Sequence, residues 1–338
     1  MAQQELFISI DGGGTKTDTV LFSKDGKVLK RAIGGPSNSS VIGFRRSAQT
    51  LQALLEELLS ECGGLNTSIC SVFAGIAGGG VGANTERYRK LIKDLLPNVK
   101  HICNGNDAIN ALNSGVGTKD GMALIAGTGS AVYTRSQGKV YQVGGWGHLF
   151  GDEGSGYDIA SRGLRRVLMA IDGRASYTVM CELFADHLGR SVVDAILDIY
   201  DGGKHYVASL APIVFKAADK GDEAAINILK ECANELRSML LAGCRYLETT
   251  PYHVVLTGGI WKAGNGLLEN FLREITDDRF VFIHPALPPV YGGAIEAMSI
   301  GGYEITDEFE ANFARTFNLV QPEFISTEKA VDSEAGKE

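Results

Sequence analysis

Leu6-Phe7-Ile8-Ser9-Ile10-Asp11-Gly12-Gly13-Gly14-Thr15-Lys16-Thr17 is a short apolar run that enters a glycine turn, the pattern of a buried strand ending at a tight bend. Two further strands are expected at 19–22 and 27–33, split by the turn signal Asp25-Gly26. Leu51, Leu54, Leu55, Leu58 and Leu59 then recur on one helix face, with Ser39 or Ser40 placed to cap it. A strand at 69–76, a helix at 86–96 stopped by Pro97, and a strand at 101–103 follow. That last strand ends in Asn104-Gly105-Asn106-Asp107, ahead of a short helix to 113. The pattern then restarts: Ala123-Leu124-Ile125-Ala126-Gly127-Thr128-Gly129-Ser130 repeats the opening strand and turn. Strands at 132–135 and 140–143 come next, with Gln137-Gly138 in the place of Asp25-Gly26. A helical stretch at 155–247, strands at 253–256 and 280–283, and a helix at 292–300 complete the copy. The order β-β-β-α-β-α-β-α thus occurs twice, with a helical insert in the second copy. This predicts an α/β protein of two duplicated domains, at 1–116 and 117–310. Residues 311–338 return to the first domain and end in a frayed polar tail.

Composition narrows the function. The chain has 338 residues and 43 glycines, where ordinary usage of about 7% would give roughly 24. No Gly-X-Y period or Gly/Ser tract absorbs the excess, and about half of the 43 glycines fall in short clusters near predicted strand ends and helix starts. Lys+Arg 32 against Asp+Glu 40 gives a net charge of −8, with no basic run of the kind nucleic-acid binding uses. The six cysteines are scattered, with no Cys-x-x-Cys and no zinc-type Cys/His spacing. That usage fits a reducing, cytoplasmic location. No apolar run approaches the roughly 20 residues of a membrane span.

Two glycine turns at matching positions of a repeat suit an oligophosphate, because glycine lets backbone N–H groups approach phosphate oxygens and Thr or Ser adds donors without bulk. Each turn could instead be a plain tight hairpin. Neither has the Rossmann or Walker A spacing. Asp11, beside the first turn, is placed to hold Mg²⁺ through water. Asp107, at a strand's carboxyl end, is either a general base for an attacking hydroxyl or the cap of the next helix. The segment 144–156 gathers six glycines with Trp146, His148, Asp152 and Glu153. Polyol recognition calls for such carboxylate, imidazole and aromatic groups, and the alternative, a floppy loop with a structural Trp, fits this composition poorly.

Asp11 to Thr17, Gly127 to Ser130, the Gly-Gly-Trp-Gly-His…Gly-Asp-Glu-Gly-Ser segment and Thr257-Gly258-Gly259-Ile260-Trp261-Lys262 resemble the BadF/BadG/BcrA/BcrD-type ATPase family, over about residues 5–315. Within it they resemble the N-acetylglucosamine kinase branch. The resemblance implies an actin-like, ribonuclease-H-like fold whose two duplicated domains close on ATP and substrate. It implies that Thr15, Thr17 and Thr128 contact ATP phosphates, in turns that also hold Gly13, Gly14, Lys16, Gly127 and Gly129. Gly258, Gly259 and Ala263 would lie under the adenosine, with Ala208 a further nucleotide contact. Asp107 would be the catalytic base and a sugar contact. Asn38, Ser130, Gly145, Trp146, Gly147, His148, Leu149 and Asp152 would bind sugar, with Glu153 beside them. Ala131 departs from relatives that carry a polar side chain there.

The activity so implied is Mg²⁺- and ATP-dependent phosphorylation of the 6-hydroxyl of an amino sugar, N-acetylglucosamine first, with glucosamine, N-acetylmuramic acid or glucose as alternatives. An iron–sulfur ATPase activator of 2-hydroxyacyl-CoA dehydratase type is the rival within the family, and the cysteine placement opposes it. A sugar-responsive regulator would need a DNA-binding segment that neither terminus offers. Expected partners are a sugar and ATP, with no nucleic acid or membrane. Oligomeric state is not legible, though relatives often form homodimers.

Overall fold

The computed structural model of the chain describes residues 4–325. It begins with an antiparallel set of three strands, β1 (Leu6–Gly12), β2 (Thr17–Ser23) and β3 (Val28–Gly34). Next come α1 (Ser39–Ile42), α2 (Phe44–Leu59), β4 (Ile69–Ile76), α3 (Asn84–Leu95), β5 (Val99–Gly105) and α4 (Ala108–Val116). The strands lie in the order β3-β2-β1-β4-β5, with β4 parallel to β1 and β5 parallel to β4. Every residue of β2 and β4 is buried, as expected of strands covered on both faces. The carboxyl ends of β1, β4 and β5 therefore share one edge, the edge where open α/β sheets bind ligands.

The second copy repeats this plan. β6 (Gly121–Ala126), β7 (Ser130–Ser136) and β8 (Lys139–Gly144) are antiparallel. The insert comprises α5 (Gly156–Ile171), α6 (Met180–Leu188), α7 (Ile196–Ser209), α8 (Ala211–Asp219) and α9 (Glu223–Cys244). After it come β9 (Tyr252–Thr257), α10 (Leu267–Ile275) and β10 (Phe280–Ile283). The order β8-β7-β6-β9-β10, with β9 parallel to β6 and β10 parallel to β9, matches the first sheet strand for strand. The expected duplication and its helical insert are thus present. The described residues end with α11 (Pro289–Ile300), α12 (Asp307–Phe317) and β11 (Glu323–Ile325).

Three expectations need correction. The compact units are residues up to Lys119 together with those from Pro285, and Asp120–His284. The second domain therefore ends well before 310. The cause is α11, which packs on α4 and β1. A methyl at Gly292 would collide with the Asn110 carbonyl, and one at Gly293 would lie 2.7 Å from Asn110 Oδ1, so these glycines permit a close helix approach. The tail expected to be frayed carries β11, parallel to β3; its residues from 326 on lie outside the described ones. Finally, neither Ser39 nor Ser40 caps the leucine helix. Asn38 caps the four-residue α1 by accepting from Ser40 N, and α2 begins after Gly43 (φ 79) with no side-chain cap.

In the first unit α2 and α3 cover one sheet face, while α11 and α12 cover the other. The five leucines read as a helix face are all fully buried. Leu54 packs against Gly34, where an added methyl would lie 3.2 Å from its Cδ2. Truncating it to alanine is expected to cost about 2–5 kcal/mol, as a lowered urea midpoint with unchanged slope.

Candidate active site

In the first unit the β1–β2 turn closes through Gly13 N donating to Lys16 O at 2.9 Å, so it is a tight hairpin. Beyond that bond, no protein acceptor among the described residues takes the N–H of Gly14 or Thr15. The hairpin and the phosphate readings are therefore compatible. Thr15 and Lys16 are exposed. Thr17 is a correction: it is fully buried and its hydroxyl donates to Gly35 O at 2.8 Å, so it ties β2 to the loop after β3 and offers no side chain to a phosphate. The carbonyl of Gly13 accepts from Ser37 N and Asn38 N, which fixes Asn38 beside the turn. Its Oδ1 is spent on Ser40 N, leaving its Nδ2 as the donor for a ligand.

Asp11 stands at the end of β1, its Oδ1 accepting from Asn110 Nδ2 at 2.8 Å. Burial pushes its carboxyl up to about 7, against the Asn110 hydrogen bond and reinforced by the charges of Asp107 and Asp18. Asp107 occupies the N-cap position of α4 but makes no side-chain cap bond; instead Asn106 Oδ1 accepts from Ala108 N at 2.9 Å. The hydrogen bond that caps α4 thus comes from Asn106 and not from Asp107. Burial pushes its carboxyl up to about 6, partly offset by the backbone amides of Asp107 and Ala108, and the side chain keeps partial exposure. A base poised near neutrality suits proton transfer from a hydroxyl.

The second unit has an equivalent turn, closed by Gly127 N donating to Gly129 O at 2.9 Å. Gly258 (φ 106) lies so close that a methyl on it would collide with Ala126 O, and Gly259 N stands 3.9 Å from the Cβ direction of Gly127. Gly156 N donates to Gly127 O at 2.8 Å, and a methyl at Gly156 would lie 3.2 Å from Ala208 O. Gly127, Ala208, Gly258 and Gly259 thus converge. A shallow groove of about 330 Å³ adjoins them, lined by Gly259, Lys262 and Ala263 and by Pro212, Phe215 and Lys216 on α8. The α8 wall escaped sequence reading, because nothing in a helix of ordinary composition announces it.

In the loop 144–156, Gly145 (φ 73) has no room for a side chain because Ala131 Cβ lies 2.8 Å away. Trp146 and Leu149 are 68% and 74% exposed, Gly147 is at φ 87, and the His148 ring stands edge-on to Tyr157 at 4.8 Å. Asp152, expected to bind sugar, is buried and paired with Lys204 at 2.7 Å. Ser130 Oγ donates to Glu153 O at 2.5 Å, so this hydroxyl ties the loop to the turn and retains only acceptor capacity for a sugar. Lys204 was missed because it lies 52 residues from its partner inside the helical insert.

The turns can be tested for fit to a nucleotide. A methyl at Gly14 or Gly259 would meet nothing within 4 Å, and at Gly13 and Gly127 only single contacts at 3.4 and 3.9 Å; none of the four has positive φ. Neither backbone nor neighbours demand glycine there, and a phosphate or nucleotide approaching the backbone would fill that space. For a metal, no group of three or more His, Cys, Asp or Glu among the described residues could hold an ion. The donor set near Asp11 fits Mg²⁺ held by one carboxylate and substrate phosphates. Burial pushes the thiols of Cys103, Cys232 and Cys244 up, against a role as cluster thiolates. No helix among the described residues is long and apolar enough to cross a membrane.

The chain is similar to known proteins. The N-acetylmuramic acid/N-acetylglucosamine kinase of Clostridium acetobutylicum is 36% identical over 275 residues, 79% of this chain and 89% of that protein. The N-acetyl-D-glucosamine kinase of Dictyostelium discoideum is 29% identical over 88% of this chain and 98% of its own. A solved structure from Chromobacterium violaceum, provisionally assigned as an N-acetylglucosamine kinase, superimposes with a TM-score of 0.69 at 26% identity, covering 86% of this chain and 98% of its own. A glucokinase of the ROK family from Streptomyces griseus, 15% identical with a TM-score of 0.54, shares the fold. The sequence profile of one family spans residues 8–297, from β1 through both glycine turns into α11, and by that match the chain belongs to the BadF/BadG/BcrA/BcrD ATPase family.

Proposed function

We propose that the chain is an ATP-dependent amino-sugar kinase that phosphorylates the 6-hydroxyl of N-acetylglucosamine. The observation that carries this reading is the set of four turn glycines, Gly13, Gly14, Gly127 and Gly259, whose lack of a side chain nothing inside the protein requires. The two N-acetylglucosamine kinases it resembles support the amino-sugar substrate.

Asp107 accepts the proton of the attacking hydroxyl as the γ-phosphoryl group is transferred, and the free N–H groups of Gly14, Thr15 and the second turn stabilise charge on the phosphates. Thr15 and Thr128 add hydroxyl donors. The groove at Gly259 and Ala263 takes the adenosine. Asn38 Nδ2, Trp146, His148 and Asp152 hold the sugar. Mg²⁺ would be held by Asp11 and the nucleotide phosphates, and when bound it neutralises charge on the β- and γ-phosphates.

A coupled ADP assay over hexoses and amino sugars, with the phosphorylated position read by NMR, tests the reading; no sugar-dependent ADP release with any of them would sink it. N-acetylmuramic acid belongs in the panel, since the Clostridium relative is named for both sugars. Asp11→Asn is expected to melt no lower than wild type, because burial disfavours the charged carboxylate. The same variant should lose Mg²⁺-dependent turnover. A lowered melting temperature would show that Asp11 is structural.

A further inference from the structure

Asp152 carries an unusual load for a loop residue. It is 4% exposed and adopts φ 62, a left-handed conformation that only a few non-glycine residues tolerate. Its Oδ1 receives one long bond, from Ser130 N at 3.3 Å. Its Oδ2 receives the Lys204 ammonium at 2.7 Å, and the two side chains are 5% and 28% exposed. A buried carboxylate without a partner is strongly disfavoured, so this cation holds the group in place.

Lys204 is brought there by a break in α7. Gly203, at φ 62 and ψ −164, interrupts the helix, and the segment restarts with Lys204. One turn later is Ala208, whose carbonyl packs on Gly156 beside the second glycine turn. Residues four apart share a helix face, so the kink presents Lys204 and Ala208 together to the turn.

The backbone of the loop does not depend on this pair. Ser130 Oγ holds Glu153 O, Gly154 N donates to Asp158 Oδ2 at 2.9 Å, Asp158 N donates to Ser155 Oγ at 3.2 Å, and Gly156 N is held by Gly127 O. Removing the ammonium would leave the main chain in place and release only the carboxylate.

We propose that Lys204 is a positioning residue for sugar binding: it fixes the Asp152 carboxylate through Oδ2 and leaves Oδ1 to accept a hydrogen bond from a sugar hydroxyl. The inference rests on the kinase reading above and deepens it. It is tested by steady-state ADP release with N-acetylglucosamine and ATP in wild type, Lys204→Met, Lys204→Arg, Asp152→Asn and the Asp152→Asn/Lys204→Met double variant, with melting curves alongside. Lys204→Met should raise the KM for sugar tenfold or more while the KM for ATP stays within twofold. Lys204→Arg, which keeps the cation, should recover most of the loss. In the Asp152→Asn background the lysine change should add less than twofold, because its only target is gone. Should the methionine variant not fold, Lys204→Gln takes its place with the same expectation.

An unchanged sugar KM, an equal rise in both KM values, or an undiminished effect without the Asp152 carboxylate would each overturn the proposal while wild-type turnover keeps the kinase reading intact. A wild type that releases no ADP with any sugar would instead remove the kinase reading, and this inference with it.

Discussion

Replacing Asp107 by asparagine is expected to cut sugar-dependent ADP release by about 10²–10⁴-fold, the usual contribution of a positioned general base, with little change in melting temperature. The structure separates these two effects. The Ala108 amide is held by Asn106 Oδ1, with no cap hydrogen bond from the Asp107 side chain, and the asparagine is nearly isosteric, so the helix keeps its capping bond. The carboxylate, by contrast, is the only form that can accept the proton. Because burial pushes its pKa to about 6, the protonated and inactive form dominates below that value. Wild-type kcat/KM should fall about tenfold per unit below pH 6, rise through it and level off above. The asparagine variant should lose this limb of the profile. A flat wild-type profile between pH 5 and 7, or an asparagine variant with near-normal turnover, would remove Asp107 from the chemistry.

The behaviour of Asp107 also shows where the sequence was informative and where it was silent. Its position after a short strand was legible, because strand pattern and turn residues are local signals. Whether it caps the next helix was not, because Asn106 and Asp107 are both candidate caps until the acceptor of the Ala108 amide is known. The duplicated strand order was legible for the same local reason. Its limit is α11: repeat order assigns that helix to the second copy, but Gly292 and Gly293 let it lie against Asn110 in the first unit, and such a contact between distant residues leaves no periodicity to read. The Asp152–Lys204 pair is a second instance. A carboxylate in a polar glycine loop reads as free for a ligand, and the cation that claims one of its oxygens comes from a helix with no distinguishing pattern. Thr17 is the converse: a threonine in a glycine turn looks like a phosphate donor, and only its register opposite Gly12 in the β1–β2 pair and its bond to Gly35 show that it faces inward.

The glycine excess divides in the same way, and the division yields a paired prediction. Gly258 is demanded by the fold: at φ 106 an L side chain is strained, and its methyl would strike the Ala126 carbonyl. Gly258→Ala should cost about 3 kcal/mol or more from strain and forced backbone movement, read as a lowered denaturation midpoint before any substrate is added. Gly14 is demanded by nothing in the protein: its φ lies outside the left-handed range and a methyl there meets no atom within 4 Å. Gly14→Ala should therefore leave the melting temperature unchanged or raise it slightly, since alanine narrows the unfolded ensemble by about 0.4–1 kcal/mol. If the space beside it belongs to a phosphate, the methyl must displace that group from the free N–H of Gly14 and Thr15. The KM for ATP should then rise tenfold or more, with the KM for sugar much less affected. The two substitutions are chemically identical, so a difference in outcome isolates what each glycine serves. A Gly14→Ala variant with wild-type ATP kinetics would mean that the first turn is a hairpin alone, and the nucleotide would have to be sought elsewhere.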